Sequence, residues 1–232
     1  MQADPSAHQT PGRSVRDDWR SGLPEPRQRL FAAVLGPLEA GYTMLSVAVD
    51  EAFGLRRNGT LVQAREQVGI SVELARRLAL QLHRVIGALS LLTRRSRFSP
   101  AVAPLHPEHF HWPTLRRAAA WESLLESLVP TAGLRFRLKA AILGHLVERA
   151  AADFRHAARE ISEGSSVHPE SHWEALEALH HDLSTCLGET LILTKSLLLG
   201  LPEARLEDFH RLLEGALLPV AGTDARLSHS SA

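Results

Sequence analysis

Apolar residues recur at alternating spacings of four and three along much of this chain, which is the rhythm of one helix face. Phe31, Leu35, Leu38, Tyr42, Leu45, Val49 and Ala52 trace the first such face and predict a helix over about 27–53. Pro37 should kink or interrupt it. Asn58-Gly59 marks a turn, and Thr60 is a good N-cap for the next helix. From there to Leu92 the pattern supports two readings. Val68, Val72, Ala75, Ala79, Leu82, Ile86 and Leu89 keep the four-three rhythm of one long helix. Alternatively, the chain breaks at Gly69, and Ser71 caps a second helix with Glu73 in its first turn. A glycine inside a helix costs about 1 kcal/mol relative to alanine. The break gives both Gly69 and Ser71 a use, so it is the preferred reading.

Beyond Leu92 the rhythm stops. Pro100, Pro104, Pro107 and Pro113 read as a connector over 102–113. Helical periodicity then resumes over 114–128, 134–163, 170–199 and 203–217, closed by Gly164, Gly200 and Pro202. Residues 1–27 lack periodicity and read as a disordered arm, and 219–232 as a frayed tail. The expected fold is all-α or nearly so. A unit over 28–101 is followed by the connector and a helical bundle over 114–218.

Composition adds constraints. The chain has 232 residues, 44% of them hydrophobic and 5% aromatic, enough to bury a core. The single cysteine, Cys186, cannot close an internal disulfide and falls in an apolar helical run, so it reads as a packed core residue. Met1 to Arg20 shows no apolar stretch of a secretory signal, and a cytoplasmic location is expected. Leu30 to Val49 holds one charge, Glu39, and approaches a membrane span. Gly36, Pro37, Gly41 and the cost of burying Glu39 in lipid favour a buried helix instead, with no membrane partner.

Charge is uneven. From Arg56 to Arg97 nine arginines face two acids, Glu66 and Glu73, while the whole chain is formally neutral. A concentrated basic block is what a nucleic-acid-binding module needs. Within it, Gly69-Ile70-Ser71-Val72-Glu73-Leu74-Ala75-Arg76-Arg77-Leu78 resembles the turn and recognition helix of winged helix-turn-helix DNA-binding domains, over about residues 53–101. The resemblance implies that Leu89–Leu92 and Arg97–Ser99 form the strands of a wing. It further implies that Arg76 and Arg77 read bases or hold phosphates, and that Arg94 and Arg95 clamp the backbone from the wing tip. Arg84 and Arg56 would add charge. One departure stands out: Arg65 occupies the position, four before the turn glycine, where the family places a small residue at a close helix crossing.

Thirteen histidines raise a metal question. His145, Glu148 and His156 share one helix face, and Glu177 with His180 forms a Glu-x-x-His pair of the kind that di-iron carboxylate bundles use. Such pairs arise often by chance in a helix-rich chain, so no metal and no cofactor are expected. No glycine-rich phosphate loop or nucleophile motif is present, and no enzymatic activity is expected. The sequence points to a DNA-binding regulator of double-stranded DNA, dimerising through its C-terminal helices, with room for a small-molecule effector. The alternative is a non-enzymatic helical-bundle interaction or scaffold protein, and a metal-carboxylate bundle is the weaker third reading.

Overall fold

An apolar stripe that continues past a glycine can hold that glycine in a helix, and this decides the architecture. The structure, a computed structural model, describes residues 22–95, 100–129, 131–164 and 169–217. Its elements are α1 (Glu25–Arg57), α2 (Leu61–Arg95), a 3-10 turn (Pro107–His109), α3 (Pro113–Leu128), α4 (Ala132–Glu163), α5 (Pro169–Gly200) and α6 (Glu203–Leu217). No strand occurs among the described residues, so the fold is all-α. The four C-terminal helices lie within two residues of the spans expected from the pattern. The N-terminal arm (1–21) and the tail (218 onward) lie outside the described residues.

The expected break at Gly69 is absent. Gly69 lies within α2, without the positive φ found at Gly59 and Gly164. Ser71 does not cap a helix; it is buried, and its hydroxyl donates to the Val68 carbonyl at 2.6 Å. Keeping the helix intact buries Ala64, Val68, Ala75, Leu78, Leu82, Ile86 and Leu89 in one stripe. Each large member contributes about 1.5–3 kcal/mol, which outweighs the roughly 1 kcal/mol cost of one glycine. The wing is corrected for the same reason. Leu89–Leu92 is helical, and Thr93 is buried with its hydroxyl donating to the Leu89 and Ser90 carbonyls. The second expected strand, Arg97–Ser99, lies outside the described residues.

Arg65 is not buried at a crossing. It is exposed, and its guanidinium covers Gly164, whose φ of 66° forms the left-handed cap of α4. A cation beside a helix C-terminus complements its dipole. Nor does Pro37 end α1, which runs through it with the proline exposed.

α2 is the central helix, packed along α1 and α4 and touched by α6 and α5; α5 also lies against α4. One continuous apolar core runs from Leu30 in α1 to Leu213 in α6. α3 sits at the margin, chiefly against α4 and the 3-10 turn. Arg27 ties the start of α1 to the end of α5 by donating to the Leu198, Leu199 and Leu201 carbonyls.

The continuous α2 makes a prediction. A methyl group at Gly69 would meet no atom within 4 Å, and the site is exposed. Gly69→Ala should therefore raise stability by about 0.5–1 kcal/mol in urea denaturation, by relieving the glycine cost. A loss of stability would mean that the helix does bend there.

Candidate interaction surface

The connector that carries α3 is held by buried charges. Lys139 on α4 donates from Nζ to the Ala103 carbonyl at 2.8 Å. Glu122 on α3 accepts the Leu105 N–H at 2.9 Å. Asp182 on α5 accepts the N–H groups of His111 (2.7 Å) and Trp112 (2.8 Å), just before α3 begins. A carboxylate at that end also suits the helix dipole. Thr185 adds a bond to the His109 carbonyl, and Leu105 and Phe110 plug the segment into the core. Burial pushes the Asp182 carboxyl above its usual range, partly offset by the two N–H donors and by His111 and His181. Lys139 in turn pairs with Glu189 of α5 at 2.6 Å, with both side chains almost fully buried.

This anchoring fixes which side of α3 faces out. Leu115, Ala119 and Glu122 point inward, at spacings of four and three. Trp121, Leu125 and Leu128 take the outward side at the same spacings, 63%, 40% and 72% exposed. Leu124 at 55% and Leu134 at the start of α4 at 44% extend the apolar strip. Arg117 is exposed one turn before Trp121, and Arg94 and Arg137 line a recess with Val129, Leu134 and Leu138 at the other end. The result is an apolar strip with an arginine rim. Sequence periodicity did not single it out, because a leucine face on a helix reads equally as core. The only signal in the sequence was that α3 carries apolar residues on more than one side.

The residues expected to bind DNA do not form one patch. Arg76 and Arg77 are exposed on α2 but both grip Glu73, at 2.8–2.9 Å, and hold its carboxyl down to about 2. Arg84 is half-buried and Arg94 exposed; the Arg95 side chain lies outside the described residues. Arg56 lies in the last turn of α1, just before α2 begins, whereas Arg94 lies at the far end of α2, a helix about 50 Å long at 1.5 Å per residue. Arg56 pairs with Glu170 and lies 5.0 Å over the Trp173 ring.

The metal candidates are dispersed among other tasks. His145 and His156 are exposed on α4, and Glu148 pairs with His83 of α2 at 3.3 Å. Glu177 is exposed, whereas His180 is turned towards α1, stacked on Tyr42 with Nε2 3.1 Å from the Ser46 hydroxyl. Burial, helped by His181 and partly opposed by Asp50 and Glu177, lowers the pKa of His180 and so favours its neutral ring. A serine beside a neutral histidine resembles a nucleophile–base pair. Ser46 lies mid-helix, however, where neighbouring N–H groups are spent on the helix and cannot form an oxyanion hole. Among the described residues no group of three His, Cys, Asp or Glu side chains is placed to hold a metal ion. Cys186 is fully buried, and burial pushes its thiol far up, which makes it a core residue.

By length and composition, α1 and α5 are apolar enough to cross a membrane, although α5 buries more of that stretch than α1 does. Comparison with protein-family models, curated proteins and solved structures finds no match for this chain.

Proposed function

We propose that this chain is a non-enzymatic helical-bundle protein that works by binding another protein through the outer face of α3. The observation that carries this reading is the exposed row of Trp121, Leu125 and Leu128 on a helix anchored through a buried-charge connector. Exposed tryptophan and leucine at helical spacing on a rigid support are the usual anchors of a helix-binding surface. The arginine rim selects an acidic amphipathic helix over a basic one. The test is a photo-crosslinking amino acid placed at position 121 in cells of the source organism, with mass spectrometry of the adducts. A defined acidic partner is expected, bound at least tenfold more weakly by Leu128→Asp, since an interface anchor of this kind is worth about 1–2 kcal/mol or more. Adducts that are diffuse, or unchanged by Leu128→Asp, would overturn the proposal.

DNA binding is the second reading, favoured by the run of Arg76, Arg77, Arg84 and Arg94 along α2 with no acid between the first and the last. It would rest on phosphate contacts alone, without a recognition helix. Its mark would be a duplex affinity that falls steeply with salt and is indifferent to sequence.

A further inference from the structure

Every exposed position of α1 between Arg29 and Asp50 is uncharged, and Met44 and Val47 are each 59% exposed. Down the middle of this face run Arg29, Ala33, Gly36, Ala40, Met44, Val47 and Glu51, spaced by threes and fours and symmetric about Ala40. We propose that this face binds the same face of a second copy, antiparallel, with Ala40 on the two-fold axis.

In that register Ala33 meets Val47, Gly36 meets Met44, and Arg29 meets Glu51, and the symmetry repeats each pair. Ala40 meets its own copy, which lets the helices approach closely at the centre, and on either side a small residue faces a larger one, Gly36 against Met44 and Ala33 against Val47. A β-carbon at Gly36 would meet nothing within 4 Å, which leaves an open notch for the flexible Met44 side chain. Charge sets the direction. Arg29, which also pairs with Glu25 one turn earlier, and Glu51, which also accepts from Gln67, are exposed at opposite ends of this face, with half-exposed Glu39 beside its centre, so antiparallel pairing joins opposite charges at both ends. Parallel pairing would set Arg29 against Arg29 and Glu51 against Glu51, which selects against it. This interface is separate from the α3 face and does not rest on it.

Sedimentation equilibrium of the full chain tests the proposal. The wild type should be a dimer. Ala40→Glu puts two carboxylates on the axis and should weaken association about a hundredfold, because facing like charges cost several kcal/mol at about 1.4 kcal/mol per factor of ten. Ala40 is exposed, so the helical circular dichroism of this variant should not change. Arg29→Glu should weaken the dimer and the double variant R29E/E51R restore it. Ala40→Cys should crosslink two copies under mild oxidation, whereas wild type should not, because Cys186 is buried. A monomeric wild type overturns the proposal, as does a dimer indifferent to Ala40→Glu. So does a dimer lost in Leu128→Asp of α3 instead. Flotation of monomeric wild type with lipid vesicles, abolished by Ala40→Glu, would assign the face to a membrane and overturn it equally.

Discussion

Lys139→Met should destabilise the protein by about 3–5 kcal/mol, the usual cost of removing one partner from a buried ion pair. Lys139 is 2% exposed, and its ammonium is 2.6 Å from the Glu189 carboxylate and 2.8 Å from the Ala103 carbonyl. Methionine matches the length of the stem, so the loss is almost all electrostatic. Glu189 is left buried without its counter-charge, and Ala103 loses its donor. The double variant K139M/E189M removes both charges and should recover most of the loss, since apolar replacement of a whole buried pair is often neutral. Ala103 still lacks a donor there, so a deficit of about 1 kcal/mol should remain. Urea denaturation of wild type, both single variants and the double variant gives the coupling directly. A cost below about 1 kcal/mol for Lys139→Met would mean that water reaches the pair, and that Glu122 and Asp182 hold the connector without it.

Lys139 also marks where sequence reading stops. The four C-terminal helices, their ends and most core positions were legible, because each follows from local periodicity: Gly164 closes α4. At Gly69 and Ser71 local propensity points to a turn and a cap, which the helix does not form. Tertiary packing on α1 and α4 overrides both, and the serine simply turns its hydroxyl to its own helix. Glu122, Lys139, Asp182 and Glu189 show the opposite failure. Hydropathy assigns such residues to the surface, yet they are buried because partners distant in sequence satisfy them, 71 residues away for the His111–Asp182 bond. The α3 strip stayed hidden for a related reason. Which of its two apolar sides faces water is decided by where Glu122 and Asp182 pin the connector, and no local pattern records that. The arginines expected to bind DNA rest on charge and on a motif whose turn the helix does not make.

Asp182→Ala should cost about 2–4 kcal/mol, because it leaves the N–H groups of His111 and Trp112 without their acceptor, at roughly 1–3 kcal/mol for each stranded donor. Both bonds are short, and the carboxylate has no exposure. Asp182→Asn keeps one acceptor oxygen and should lose about half as much. The two variants also separate charge from hydrogen bonding through pH. Since the folded carboxyl titrates above its unfolded value, the native state binds the extra proton between the two pKa values, and this group's contribution falls as pH rises through that window. Asp182→Asn cannot titrate and should lack that slope. Hydrogen exchange should quicken first at the amides of His111 and Trp112 and then along the opening turn of α3, while α2 stays protected. If α3 is the partner-binding helix, Asp182→Asn should also weaken the crosslink from position 121 without touching the surface that makes it. Unchanged exchange at His111 and Trp112 would mean that Lys139, Glu122, Thr185 and the buried Leu105 and Phe110 hold the connector without Asp182, leaving it no part in presenting the Trp121 face.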